Sequence, residues 1–151
     1  MINIALYQPD IPQNTAAILR LGACFDIKVH IIEPCGFQID DSRFKRVLMD
    51  YKKIVKITRY EDFNNFMLLN SNYRIILMTT KAKKKYNNFS FKKKDILLFG
   101  KESAGVPNAV HSMIKHKLRI PLNKNARSLN IAISAAIASS EALRQINYFK
   151  K

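Results

Sequence analysis

The sequence predicts an α/β fold in which a mostly parallel sheet carries helices on both faces. Short apolar runs alternate along the chain with segments whose apolar residues recur at helical spacing. Such alternation is typical of strand–helix–strand units, whose strands run parallel and are buried on both sides. The chain has 151 residues, with no internal repeat and no linker-like stretch. We therefore expect one domain spanning residues 1–151.

The predicted strands are short apolar runs bounded by prolines, glycines or polar loops. In chain order they are Ile2–Tyr7, Lys28–Ile32, Ile54–Thr58, Arg74–Thr80, Asp95–Phe99 and a run that contains Leu118 and Ile120. Pro34 closely follows the second run and Pro121 ends the last one, as expected because proline cannot donate to a sheet ladder.

The predicted helices lie between these strands. They are Asn14–Cys24, the short basic segment Asp41–Val47, Tyr60–Leu69, Pro107–Met113 and Leu129–Ile146. The first follows Pro12, which suits a first helical turn. Its predicted apolar stripe consists of Ala17, Ile18, Leu21 and Cys24.

The last predicted helix has two distinct faces. We expect the hydroxyl of Ser128 to cap its first turn by accepting a backbone N–H. Its apolar stripe is predicted at Leu129, Ile133, Ala136, Ile137 and Leu143. A second face carries only small side chains, namely Ala132, Ala135, Ser139 and Ala142. Small side chains let another backbone approach closely, so this face is a candidate contact between two copies of the chain.

The charge predicts a polyanionic partner. The chain has 26 Lys and Arg against 11 Asp and Glu, a formal net charge of +15. Such an excess favours RNA or DNA as the partner. The alternative is compositional drift, because the chain is also rich in Asn and Ile. Cys24 and Cys35 show neither a CxxC pair nor metal spacing, which predicts buried thiols in a reducing compartment. With no leader-like or membrane-spanning apolar stretch, we expect a cytoplasmic protein.

Several cofactor classes are disfavoured by the motifs. The first predicted strand is followed by QPDIPQNT, which contains no glycine, and no GxxxxGK[ST] occurs. The usual nicotinamide, P-loop and Rossmann-type methyltransferase folds need a glycine-rich turn there. His30, His111 and His116 are scattered, so we expect no metal site.

Three polar constellations remain, each at the end of a predicted strand. The first is Asn14-Thr15 with Arg20, the second is Gly100–Pro107, and the third runs from Ile120 to Asn130. Taken singly, each could be a turn or a helix cap. Their order and their strand-end positions together indicate a shared site.

The motifs YQPDIPQNT, LLFGKESAGVP and RIPLNKNARSLN resemble those of the SPOUT class of RNA 2′-O-methyltransferases. Within that class, the set is most similar to the enzymes that act on nucleotide 34 of tRNA. The resemblance spans about residues 2–148. It implies a deep trefoil knot, in which the C-terminal segment passes through an earlier loop. It also implies an S-adenosylmethionine site in the knot, formed by Met78, Thr79, Gly100, Gly105, Ile120, Leu122, Ser128, Leu129 and Asn130.

The resemblance further implies the parts of the reaction. Arg20 would hold the phosphate beside the reacting ribose and favour the developing alkoxide, because a guanidinium is effectively always protonated. Asn14 would orient Arg20, and Glu102 would fix Arg20 or Asn130. The family is dimeric, so an antiparallel homodimer is expected in which Arg20 reaches the partner's cofactor.

The expected partner is the anticodon stem-loop of tRNA. Arg43, Lys45 and Arg46 are candidates for its backbone contacts. The run Lys81–Lys94 is a further candidate, with a solvated surface loop as the alternative. Two other functions stay open at this point. One is methylation of another tRNA or rRNA position, and the other is an RNA-binding module without catalysis.

Overall fold

The computed structural model describes residues 1–38, 51 and 54–150. Within these residues six strands form one sheet in the order β3-β2-β1-β5-β4-β6, with every neighbouring pair parallel. The strands are β1 Asn3–Tyr7, β2 Lys28–Ile32, β3 Ile57–Tyr60, β4 Arg74–Met78, β5 Asp95–Phe99 and β6 His116–Leu118. The helices are α1 Pro12–Cys24, α2 Phe63–Leu69, α3 Asn108–Met113 and α4 Ile131–Gln145, with short 3-10 turns at Tyr86–Asn88 and Tyr148–Lys150.

Helices cover both faces of the sheet, as predicted. Alternate residues of each strand point to opposite faces, so Ile4 and Leu6 join one apolar cluster and Ala5 joins the other. The first cluster contains side chains of α1 and α4, and the second contains Phe63 and Phe66 of α2 with Val110 of α3 and Ile114 just after it. The α/β fold class is therefore confirmed. Among the described residues, no helix combines the length and apolar character needed to cross a bilayer.

Strand β3 and helix α2 both begin later than the sequence predicts. The predicted strand Ile54–Thr58 starts only at Ile57, because the backbone N–H groups of Ile54 and Val55 turn back to the carbonyl of Tyr51. The predicted helix Tyr60–Leu69 starts at Phe63, since Tyr60 is the last residue of β3 and the Asp62 carboxylate caps α2 by accepting Asn65 N–H at 2.7 Å. The predicted helix Asp41–Val47 lies outside the described residues.

The buried face of α1 differs from the predicted stripe. Its buried residues are Thr15, Ala16, Ile18, Leu19 and Gly22, whereas Ala17 and Cys24 are exposed. Close packing against the next strand explains the rotation. A Cβ on Gly22 would lie 2.9 Å from a methyl carbon of Val29 in β2 and 2.8 Å from the carbonyl oxygen of Ile27 just before it. The expectation of two buried thiols is consequently wrong for Cys24, while Cys35 is half-buried.

Helix α4 is capped and oriented differently from the prediction. It begins at Ile131, and its cap is Asn130 rather than Ser128: the Asn130 Oδ1 accepts the N–H groups of Ala132 at 2.8 Å and Ile133 at 3.3 Å. The buried face consists of Ala135, Ala138, Ser139, Ala142 and Leu143. The small-residue face therefore packs within the chain instead of meeting a second copy. Its small side chains let α4 lie close to the sheet and α1.

The edge strand β6 lies between two parts of one earlier segment. On one side it pairs with β4, and Thr79 N–H donates to the carbonyl of Leu118 at 2.8 Å. On its other side Arg119 N–H donates to the carbonyl of Lys84, and Tyr86 N–H donates to the carbonyl of Arg119, each at 2.9 Å. The chain thus crosses from one edge of β6 to the other. A threaded C-terminal segment requires this arrangement, and the knot itself stays a prediction.

A buried polar cluster lies under α2. The ring of His30 is 2% exposed, and its Nδ1 is 2.7 Å from the Tyr60 hydroxyl. The Asn70 side-chain amide donates to that hydroxyl at 3.1 Å and to the carbonyl of Phe66 at 2.8 Å. Burial, helped by the positive charge of Lys28, lowers the pKa of His30 to about 4 from its ordinary value of 6.5.

We expect this histidine to make the protein less stable as the pH falls from about 6.5 to about 4. In that interval the unfolded chain binds a proton at His30 and the folded protein does not, so acid favours unfolding. The free energy of unfolding should drop by about 1.4 kcal/mol per pH unit, to a total of about 3 kcal/mol. Urea unfolding at several pH values measures this slope. In the His30→Asn variant the free energy of unfolding should depend less on pH between about pH 6.5 and pH 5. An unchanged slope in that variant would contradict the assignment.

Candidate active site

One cavity lies at the carboxyl ends of β4 and β5. Its volume is about 420 Å³, and its walls come from the ends of these strands, the start of α1 and the segment between β6 and α4. The carboxyl edge of an open parallel sheet is where such folds bind ligands. All nine residues that the resemblance places in a cofactor site line this cavity, namely Met78, Thr79, Gly100, Gly105, Ile120, Leu122, Ser128, Leu129 and Asn130.

The turn after β5 depends on two glycines for different reasons. Residues 101 and 105 form an antiparallel bridge, in which Lys101 N–H donates to the Gly105 carbonyl at 2.9 Å and Gly105 N–H donates to the Lys101 carbonyl at 2.8 Å. Gly105 has a φ of +68°, a conformation that favours glycine. A Cβ on Gly100 would lie 2.5 Å from the Gly105 carbonyl carbon. The turn folds back on itself at Gly100 because that residue has no side chain.

A line of hydrogen bonds joins the three constellations predicted from the sequence. The Asn130 amide donates to Asn14 Oδ1 at 2.9 Å, and the Asn14 amide donates to Glu102 Oε1 at 3.2 Å. The other oxygen of Glu102 accepts the backbone N–H of Asp10 at 2.9 Å. Glu102 therefore reaches Asn130 through Asn14. The expected role of Glu102 in fixing Arg20 or Asn130 stays a prediction.

A second polar group beside Glu102 was not singled out from the sequence. Ser103 donates its hydroxyl and its backbone N–H to Asp10 Oδ2, the latter at 3.3 Å, and Lys101 Nζ lies 4.0 Å from Asp10 Oδ1. The Ser103 hydroxyl, with the Ser103 N–H and the Lys101 charge, lowers the pKa of the Asp10 carboxyl despite partial desolvation. Asp10 thereby fastens the loop before α1 to the turn after β5. Its place in QPDIP, just ahead of Asn14, was the available signal.

Arg20 lies apart from this cavity. It follows Asn14 by six residues on α1, which places it roughly 9 Å further along the helix axis. Its side chain is exposed, and it does not line the cavity of its own chain. The guanidinium carbon is 4.9 Å from the centroid of the Tyr51 ring, a cation–π contact. The predicted RNA contacts Arg43, Lys45 and Arg46 lie outside the described residues. Within the described ranges, His, Cys, Asp and Glu form no group suited to a metal ion.

Asn130 has two roles that use different atoms of its side chain: the oxygen caps α4 and the amide nitrogen donates to Asn14. Substitution can therefore separate the two roles. Asn130→Ala should lower the free energy of unfolding by about 1 kcal/mol, because the cap of α4 is lost. Asn130→Asp keeps the capping oxygen but removes the amide that donates to Asn14. We expect that variant to unfold like the unmodified protein and still to lose turnover. Thermal unfolding and an activity assay measure the two effects, and equal activity in the Asp variant would rule out the positioning role.

Known proteins match this chain over most of its length. A model of the SpoU rRNA Methylase family matches residues 1–140. A tRNA (cytidine(34)-2′-O)-methyltransferase from Beijerinckia indica is 46% identical over 150 residues, covering 98% of this chain and 94% of the relative.

Solved structures show the same fold. A structure concerning the 2-OH methylation of C/U34 on tRNA has a TM-score of 0.92 at 33% identity, covering 96% of this chain and 95% of that one. An AdoMet-bound rRNA methyltransferase from Sinorhizobium meliloti has a TM-score of 0.86 at 23% identity, covering 95% of this chain and 56% of that one. The resemblance predicted from the motifs is confirmed, and the chain belongs to the SpoU rRNA methylase family.

Proposed function

We propose that this protein methylates the ribose 2′-hydroxyl of nucleotide 34 in tRNA, a cytidine or uridine, with S-adenosylmethionine as the methyl donor. The observation that carries the proposal is the cavity whose three walls are joined by the hydrogen bonds of Asn130, Asn14 and Glu102. The cytidine(34) relative and the C/U34 structure, both matched nearly end to end, support the choice of nucleotide. With tRNA as substrate, we expect a cytoplasmic enzyme.

The cavity suits S-adenosylmethionine. Its volume of about 420 Å³ is ordinary for a small-molecule site. A Cβ on Gly105 would meet no atom within 4 Å, so the space beside this backbone is open to a ligand. Backbone N–H and C=O groups of the loops can read an adenine edge whatever their side chains are. The Sinorhizobium meliloti protein of the same fold is AdoMet-bound, which agrees with this assignment.

When bound, S-adenosylmethionine supplies a methyl group on a positively charged sulfur. The residues of this chain then have to hold the ribose oxygen in line and stabilise the negative charge that develops on it. Asn14 and Asn130 present a polar wall whose amides are held in one orientation by Glu102. Both oxygens of Glu102 already accept hydrogen bonds, which favours an organising role for this residue. Arg20 supplies a permanent positive charge for the adjacent phosphate and the developing alkoxide.

We propose that the enzyme works as an antiparallel homodimer. Arg20 lies outside the cavity of its own chain, so a site that contains both needs the Arg20 of a second copy. The apolar side chains of Ile11, in the cavity wall, and Ile133, on α4, are 41% and 52% exposed in the single chain. Covering them would stabilise the dimer through the hydrophobic effect. Analytical ultracentrifugation at micromolar concentration tests the assembly, and a monomer would contradict it.

The test of the reaction is incubation with methyl-labelled S-adenosylmethionine and total RNA, followed by mapping of the labelled nucleotide. Label on the ribose of tRNA nucleotide 34 is the expected result. Label confined to another tRNA or rRNA nucleotide would show that the proposed target nucleotide is wrong, while the proposed methylation of RNA would still hold. Calorimetry with S-adenosylmethionine provides the remaining control, because a chain that binds RNA but not this cofactor would be a non-catalytic module.

A further inference from the structure

The lysine run 81–94 is divided by the fold between opposite ends of the sheet. Residues 81–85 follow β4 and therefore lie at the carboxyl edge, beside the cavity wall formed by Met78, Thr79 and Thr80. Lys92, Lys93 and Lys94 precede β5 at the amino edge, where Lys94 N–H donates to the carbonyl of Met1 at 2.9 Å. The sequence presents one basic run, whereas the structure separates it into two.

Further cations lie beside the first part, next to the cavity. The bridge between Lys85 and Arg119 places the two residues side by side on the outer edge of the sheet. Ile120 and Leu122 line the cavity directly after Arg119, and Lys124 and Arg127 lie in the loop between Leu122 and Ser128. We call this surface the basic edge, and define it by the exposed residues Lys81, Lys83, Lys85, Arg119, Lys124 and Arg127. Lys84 is exposed as well, but its ammonium group lies over the Phe89 ring, 5.0 Å from the ring centroid, so we do not count it.

The basic edge carries an unusually uncompensated charge. The sequence has no Asp or Glu from residue 103 to residue 140, and Asp95 and Glu102 are the acidic residues between 79 and 140. Asp95 is buried and paired with Arg74 at 2.7 Å, and Glu102 accepts hydrogen bonds from Asn14 and Asp10. Within the described ranges, no ion pair involves a member of the basic edge. This surface would release counterions on meeting a line of phosphates.

We propose that the basic edge binds the phosphate backbone of the tRNA and holds the substrate ribose at the mouth of the cavity. This inference rests on the proposed function, because it assigns a surface to the same substrate. Placement distinguishes it from a general effect of the +15 net charge. The cations of the basic edge come from two loops, one after β4 and one between β6 and α4. In both loops they are close in sequence to residues that line the cavity. Lys92, Lys93 and Lys94 lie at the opposite end of the strands.

The matched variants are two triple substitutions that each remove three charges. Lys83→Gln with Lys85→Gln and Arg119→Gln changes the basic edge. Lys92→Gln with Lys93→Gln and Lys94→Gln is the control at the amino edge. Fluorescence anisotropy with a labelled tRNA transcript at several salt concentrations gives the slope of log affinity against log salt. The slope should become shallower by about 2 to 3 in the basic-edge variant and stay unchanged in the control.

Kinetics give an independent readout. In the basic-edge variant the KM for tRNA should rise about tenfold or more at moderate salt, with affinity for S-adenosylmethionine unchanged. The assignment would be overturned if the basic-edge variant kept the wild-type salt slope and the wild-type KM for tRNA. It would also be overturned if both triple variants lost the same amount of salt slope and tRNA affinity. Binding is measured without methylation, so the two proposals can fail separately. If the wild-type chain leaves nucleotide 34 unmodified but the slopes differ as expected, the proposed function fails and the surface stands.

Discussion

Replacing Arg20 with alanine should lower the methylation turnover number by about 10²- to 10³-fold, while the affinity for S-adenosylmethionine stays unchanged. The reason is the position of this side chain. It is exposed on α1 and outside the cavity of its own chain, so the cofactor pocket does not depend on it. It would act on the charge that develops at the ribose oxygen, which exists only in the transition state. Single-turnover kinetics and calorimetry with the cofactor separate the two quantities.

The matched variant Arg20→Lys keeps the charge but loses the planar fork that suits a phosphate and stacks on Tyr51. It should retain part of the turnover. If Arg20→Ala also lost its affinity for the cofactor, Arg20 would belong to the cavity instead. Normal turnover in the alanine variant would dismiss its catalytic role.

The same variant tests whether the site is shared between two chains. Arg20→Ala would be mixed with a variant whose cavity is damaged, such as Gly100→Ala. In a mixed dimer the intact cavity of the first chain meets the intact Arg20 of the second, so activity should return. Two inactive variants that stay inactive when mixed, although they exchange subunits, would place Arg20 and the cavity on the same chain.

Much of the fold was predictable because strand and helix periods are local properties of the sequence. Lys28–Ile32 and Asp95–Phe99 were predicted with the bounds that the structure gives them. The errors fall where tertiary packing decides. The small side chains of α4 were predicted as a contact between chains, and they serve instead to seat that helix against its own sheet. Nothing in the spacing distinguishes a close approach within a chain from one between chains.

The candidate site was predicted residue by residue from motifs, but the connections between its parts were not. The amide of Asn14 lies between Glu102 and Asn130, which are 88 and 116 residues away along the chain. Likewise, Asp10 reaches Ser103 across 93 residues. Such contacts depend on which strand ends meet at one edge of the sheet. Local sequence patterns do not predict the strand order β1-β5-β4 that brings these ends together. Arg20 shows the complementary case: α1 carries it away from the cavity of its own chain, and its expected place beside a partner's cofactor stays a prediction.

Replacing Gly100 with alanine should abolish detectable binding of S-adenosylmethionine and lower the free energy of unfolding by about 1 to 3 kcal/mol. The added Cβ would lie 2.5 Å from the carbonyl carbon and 2.7 Å from the Cα of Gly105, and 2.8 Å from the backbone nitrogen of Val106. These are backbone atoms of a turn closed by hydrogen bonds at 2.8 and 2.9 Å, so the turn has to open to make room. Since the cavity includes Gly100, Lys101, Glu102 and Gly105, opening the turn displaces one of its walls.

Gly105→Ala is the matched control, because its constraint is backbone conformation and not a steric clash. The added Cβ would have open space, but a residue other than glycine at a φ of +68° should lower the free energy of unfolding by roughly 1 to 2 kcal/mol. The closed turn survives in that variant, so the cavity wall stays in place. Because the added methyl group enters the space beside the ligand, cofactor binding should be weakened but still measurable, at a similar loss of stability. Calorimetry with the cofactor, together with urea unfolding, compares the two on equal terms. If Gly100→Ala bound the cofactor as tightly as Gly105→Ala, the geometry of this turn would not be what forms the site.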